Sequence, residues 1–88
     1  MNTRNELRAH VEGLLAHKGD QEPLGDIDSL VLSGRLDSLD ILQIVVFLES
    51  NYGIDFADQP FDQEDFDSIA RILKLIELRA PTTDVSRA

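Results

Sequence analysis

Between Leu39 and Leu48, eight of ten residues are apolar, and this run limits what the chain can become more than any other feature. Asp37 and Ser38 open it in the manner of a helix start, and Gly53 closes it. At about 100° per residue, a helix over Ser38 to Asn51 places Ile41, Ile44, Val45, Leu48 and Tyr52 on one face. Leu39, Leu42 and Val46 fall on a second flank beside Ser38, with Asp40, Gln43, Ser50 and the intruding Phe47 between the two. A single stripe cannot account for so much apolar surface. Such a helix is either wrapped on most sides by its own domain or presents the excess to a partner.

The other segments read as support for this helix. Thr3-Arg4-Asn5-Glu6 has the form of a capping box, and Leu7, Val11, Leu14 and Leu15 follow at helical spacing until Lys18 and Gly19 supply a stop. From Gly19 to Leu36 the spacing predicts a long loop held down by Leu24, Ile27, Leu30, Val31, Leu32 and Leu36, with a helical turn near Ser29 to Ser33. After Gly53, Ile54 and Phe56, a short helix fits Gln63 to Phe66. A last helix, capped by Asp67 or Ser68, carries Ile69, Ile72, Leu73 and Ile76. Arg79-Ala80-Pro81 ends the pattern, so residues 1–79 form the expected domain and 80–88 a frayed, disordered tail. The sum is an all-α four-helix bundle: three main helices, one short helix and a long first loop. Leu14, Leu15, Ile41, Val45, Leu48, Ile69, Leu73 and Ile76 are expected in its core.

Bulk properties narrow the function. A chain of 88 residues forms one small domain, too little to enclose a large dry active site. The net charge of -9, from 17 acidic and 8 basic residues, repels nucleic acid and anionic membrane surfaces and suits basic protein partners. The absence of cysteine removes disulfides, thiolate metal sites and a thiol nucleophile, and points to the cytosol. No stretch has the character of a signal peptide or membrane span. His10 and His17, seven apart, lie too far from each other to grip one ion and read as surface residues. The acids from Asp62 to Asp67 lack the spacing of a calcium loop. No metal site is expected, and no nucleophile–base pair that would make the chain an enzyme.

Asp37-Ser38-Leu39, followed by the apolar helix and by Glu49, Tyr52, Gly53 and Ile54, resembles the acyl and peptidyl carrier proteins. The resemblance runs from about Leu7 to Ile76. It implies that Ser38 accepts a 4'-phosphopantetheine arm from coenzyme A, with Asp37 and Leu39 framing the attachment. The implied partners are a phosphopantetheinyl transferase and enzymes that load and transfer acyl or aminoacyl groups, visiting a cytoplasmic monomer. Asp28-Ser29-Leu30 and Asp67-Ser68-Ile69 repeat the short motif without its context. Docking is expected on Leu39, Leu42 and Val46, rimmed by Asp37, Asp40 and Glu49, unless the long loop covers this flank and makes it core. Gly34-Arg35-Leu36, Gln43 and Ser50 depart from the fatty-acid-synthesis pattern and suggest a specialised pathway, such as polyketide, lipid-modifying or aminoacyl transfer. The alternative is an unmodified acidic adaptor for a basic or grooved protein.

Overall fold

The computed structural model of the chain describes residues 3–57 and 61–80. Three α-helices, α1 (Thr3–His17), α2 (Ser38–Tyr52) and α3 (Ile69–Arg79), are joined by a long loop and by a segment containing one 3-10 turn, Gln63–Phe66. The described residues contain no strand, so the chain is all-α. The short helix expected before α3 is that single turn of four residues. Asp62 donates its main-chain N–H to Asp65 Oδ2 at 3.2 Å at its start.

Helix α1 packs against both α2 and α3 around one core. Leu7, Val11 and Leu15 come from α1, Ile41, Ile44, Val45 and Leu48 from α2, and Ile69, Ile72, Leu75 and Ile76 from α3. Leu14 and Leu73, expected at the centre, lie half-buried at its margin. Phe56, Phe61 and Phe66 close one end through edge-on contacts, Phe61 to Phe66 at 5.0 Å and Phe56 to Phe61 at 5.4 Å between ring centres. The Arg79 guanidinium lies 5.6 Å over the Phe56 ring, a favourable cation–π contact.

Helix ends follow the sequence at three places and depart from it at one. Gly19 and Gly53, at φ +84° and +69°, take the left-handed conformation that ends α1 and α2. Ser68, rather than Asp67, caps α3 by accepting the Arg71 N–H at 3.1 Å. The capping box expected at Thr3 does not form: Thr3 is itself the first helical residue. The Glu6 carboxylate instead accepts the Tyr52 hydroxyl at 2.7 Å, a tertiary bond that no local pattern announces. Burial, helped by Glu6, pushes the Tyr52 hydroxyl up to about 12.

The long loop is anchored by Leu24, Leu30 and Leu36, which are buried, while Ile27 and Leu32 stand in solvent. Ile27 sits on a turn, between Gly25 and Asp28, whose main-chain bond spans it at 3.2 Å. Polar groups supply the rest of the anchoring. Arg4 and Arg8 both pair with Asp26, and Arg35 grips Asp20 with Nε at 2.9 Å and a second guanidinium nitrogen at 3.1 Å. The cation ahead of Asp37 is therefore a tie within the loop. Near the helical turn expected at Ser29 to Ser33, residues 31–34 form one turn, closed by the Gly34 N–H on the Val31 carbonyl at 3.0 Å.

Asp67 holds the loop to the start of α3. Its Oδ1 accepts the Ser29 hydroxyl at 2.9 Å, the Val31 N–H at 2.8 Å and the Leu32 N–H at 2.9 Å. The Leu32 N–H foremost, with Ser29 and Val31 against some burial, holds this carboxyl below its usual value of 3.8. Its stabilisation is complete above that value and fades as pH falls through the lower folded one. Asp67→Ala should cost about 1–3 kcal/mol at neutral pH. The gap in melting temperature from the wild type should narrow as pH falls below 3.8 toward and through the lowered folded value.

Of the tail expected over 80–88, Ala80 is half-buried against the core and donates its N–H to the Ile76 carbonyl at 2.9 Å; residues 81–88 lie outside the described residues, as does Pro60.

Candidate functional site

The first turn of α2 is fixed from both sides. Asp37, with φ -111° and ψ -173°, is its N-cap. Asp37 Oδ1 accepts the Asp40 N–H and Asp40 Oδ2 accepts the Asp37 N–H, each at 3.0 Å, a reciprocal capping box. From the end of α1, the Lys18 ammonium donates to Asp40 Oδ2 at 2.7 Å and to the Arg35 carbonyl at 2.8 Å. It stands 3.9 Å from Asp37 Oδ2. One side chain thus ties together the end of α1, the end of the loop and the start of α2. The bond to Asp40 raises the Lys18 ammonium above its usual value. Burial pushes the Asp40 carboxyl up, but Lys18 and the Asp37 N–H outweigh it and hold it below the usual carboxylate range.

Asp40, expected on the rim of a docking flank, is instead 7 % exposed and engaged by Lys18. The sequence placed it by helical angle alone and had no means of placing α1 beside it. Asp37 and Glu49 are exposed, and Glu49 accepts the Phe56 N–H at 3.4 Å.

Ser38 is the first residue of α2 and is exposed. Among the described residues, no hydrogen bond occupies its hydroxyl. The other two copies of the motif differ. The Ser29 hydroxyl donates to Asp67 and accepts the Ser33 N–H at 3.1 Å, and Ser68 is buried with its oxygen committed to Arg71. A phosphodiester fits only the first of the three: the N–H groups of Ser38 and Leu39 have no helical acceptor, and the positive helix end favours an anion there. Lys18 tempers the opposing charge of Asp37.

Leu39, Leu42 and Val46 are 70 %, 55 % and 54 % exposed. The loop does not cover them, so they are surface and not core. They lie together on the side of α2 that faces away from the buried Ile41, Ile44, Val45 and Leu48.

Beside this flank, His10 departs from the expected surface residue. Its ring stacks on Phe47 at 4.2 Å and 10°, and its Nε2 is buried without a partner. Burial lowers its basicity, opposed by a hydrogen bond with the Gln43 main chain. An intruding Phe47 on α2 and a histidine on α1 were the available signals, but only the packing of the two helices pairs them. His17 is exposed. Among the described residues, no cluster of histidine and carboxylate side chains is arranged to hold a metal ion, and no helix is long and apolar enough to cross a membrane.

Comparison with protein-family models, with curated proteins and with solved structures found no match in any of the three.

Proposed function

We propose that the chain is a freestanding carrier protein that bears 4'-phosphopantetheine on Ser38 and delivers acyl or aminoacyl thioesters to the enzymes of a specialised pathway. The observation that carries this reading is the contrast among the three serines: Ser38 alone is exposed and unengaged at the start of a long helix. The all-α fold, with three helices, one 3-10 turn and a long first loop, supports this reading, and the four-helix carrier layout is part of the proposal. The protein acts as a cytosolic monomer and as a substrate of enzymes rather than as one.

In the loading step, Ser38 Oγ forms a bond to the phosphorus that leads to the pantetheine half of coenzyme A. Its proton passes to a base on the transferase, and the nucleotide half leaves with the pyrophosphate oxygen. The α2 first turn stabilises the resulting phosphodiester. When bound, the arm supplies the thiol that holds the cargo, and the chain supplies attachment and docking.

The exposed flank of Leu39, Leu42 and Val46, with Asp37 and Glu49 at its edge, is the docking surface in this reading. Val46→Asp should leave the melting temperature nearly unchanged, because Val46 is 54 % exposed and lies outside the buried cluster. It should weaken transfer of the arm or delivery of cargo at least several-fold. Raising salt should weaken wild-type docking by screening the acidic edge. A Val46→Asp protein that docks as well as the wild type would place docking elsewhere.

The same flank also favours a second reading, an unmodified acidic adaptor for a basic or grooved partner. Intact mass after incubation with coenzyme A, Mg²⁺ and a broad-specificity phosphopantetheinyl transferase separates the two. A carrier gains the mass of one arm, whereas an adaptor gains nothing.

A further inference from the structure

The chain on either side of Ser38 is held, while among the described residues its hydroxyl is unengaged. Three residues upstream, the Arg35 side chain is bound by Asp20 through Nε at 2.9 Å, and the Arg35 carbonyl accepts the Lys18 ammonium at 2.8 Å. Leu36 is buried and donates its N–H to the Leu30 carbonyl at 2.7 Å. Asp37 and Asp40 then close the capping box across the serine. Lys18 reaches this stretch twice, at Arg35 before Ser38 and at Asp40 after it.

The lysine works from a fixed base. Its main-chain N–H is bound to the Leu15 carbonyl at 3.0 Å, and those of Gly19 and Asp20 to Ala16 and Leu15 at 2.9 and 2.8 Å, which closes the end of α1. Two donors of the ammonium are spent on Asp40 and Arg35, and Asp37 Oδ2 stands beyond hydrogen-bond range at 3.9 Å. At about 100° per residue, Asp40 and Asp37 lie roughly 160° and 100° around α2 from Ser38. Lys18 therefore holds the turn from the side away from the hydroxyl, out of the way of an enzyme that approaches it.

We propose that Lys18 is a positioning residue for loading of the arm: by holding Asp40 and the Arg35 carbonyl together, it presents Ser38 Oγ to the transferase in one orientation. The inference rests on Ser38 being the attachment site. Transfer requires Oγ in line with the phosphorus it attacks, and a misplacement of about 1 Å at a reacting atom can cost on the order of 100-fold in rate. Without Lys18 the buried Asp40 carboxylate loses its cation, and the segment that leads into the serine loses its tie to α1. A tie that served stability alone would leave transfer unaffected in fully folded protein.

Intact mass first verifies that the wild type takes the arm; a chain that takes none overturns the reading of Ser38 before any variant is compared. Steady-state kinetics with coenzyme A, Mg²⁺ and a broad-specificity phosphopantetheinyl transferase then compare the wild type with Lys18→Met and Lys18→Arg, at a temperature where circular dichroism shows each to be folded. Lys18→Met should lower kcat at least about fivefold, with KM for coenzyme A and for the carrier changed by less than about twofold. Lys18→Arg, which keeps the cation, should recover much of the rate. The double variant Lys18→Met with Asp40→Asn leaves no unpaired carboxylate at the buried position and so guards against unfolding of the single one; it should remain slow, because the tie to Arg35 is still missing. A folded Lys18→Met that loads at the wild-type rate, a double variant that does so, or a loss carried by KM alone would overturn the positioning role while leaving the attachment site intact.

Discussion

Leu48→Ala should melt far below the wild type, by about 8 °C or more. Leu48 has no exposed surface and lies on the inward side of α2, where the buried residues of all three helices form one cluster. Truncating a buried leucine removes its transfer free energy and leaves a cavity, together about 2–5 kcal/mol. In a domain of this size each kcal/mol is worth roughly 4–8 °C, and total stability is on the order of 5–15 kcal/mol. Ile72→Ala, equally buried on α3, should behave alike. Thermal denaturation followed by far-UV circular dichroism makes the comparison, with Val46→Asp as the control on the outer side of the same helix. An unshifted Leu48→Ala would mean that α2 does not pack with this face inward.

That inward face was legible in the sequence because helical spacing alone sorts Ile41, Ile44, Val45 and Leu48 from Leu39, Leu42 and Val46. The same angles could not say whether the second group was covered, since this depends on where an 18-residue loop from Gly19 to Leu36 runs. The loop is drawn instead to Asp67 and Asp20, through carboxylates whose partners lie 15 to 38 residues away in the chain. Asp40 shows the limit most clearly. The helix start at Asp37-Ser38 puts it in the first turn, and that is where it lies. Its burial and its bond to Lys18 come from the approach of α1, which no local pattern encodes. Glu6 was misread for the same reason: a residue suited to a local cap was taken by the distant Tyr52 hydroxyl. At the site itself, the motif singled out Ser38 by context. The structure adds a physical distinction, because Ser29 and Ser68 have their oxygens committed and Ser38 does not.

Ser38→Ala should abolish phosphopantetheinylation altogether, since the substitution removes the only atom through which the arm can attach at that turn. It should do so without unfolding the protein: the cap of α2 belongs to Asp37 and Asp40, and an exposed helical serine gives way to alanine, the strongest helix former, at little cost. Ser29→Ala and Ser68→Ala are opposite in character. Each loses a hydrogen bond that holds the fold, and Ser68→Ala, which removes a cap, should cost about 1 kcal/mol. Both should still accept the arm. Intact-mass spectrometry of the wild type and the three variants, after incubation with coenzyme A, Mg²⁺ and a broad-specificity transferase, sets stability and modification apart in one measurement. One added arm is predicted on the wild type, Ser29→Ala and Ser68→Ala, with none on Ser38→Ala; an arm on Ser38→Ala, or none on the folded wild type, would contradict the assignment of Ser38 as the attachment site.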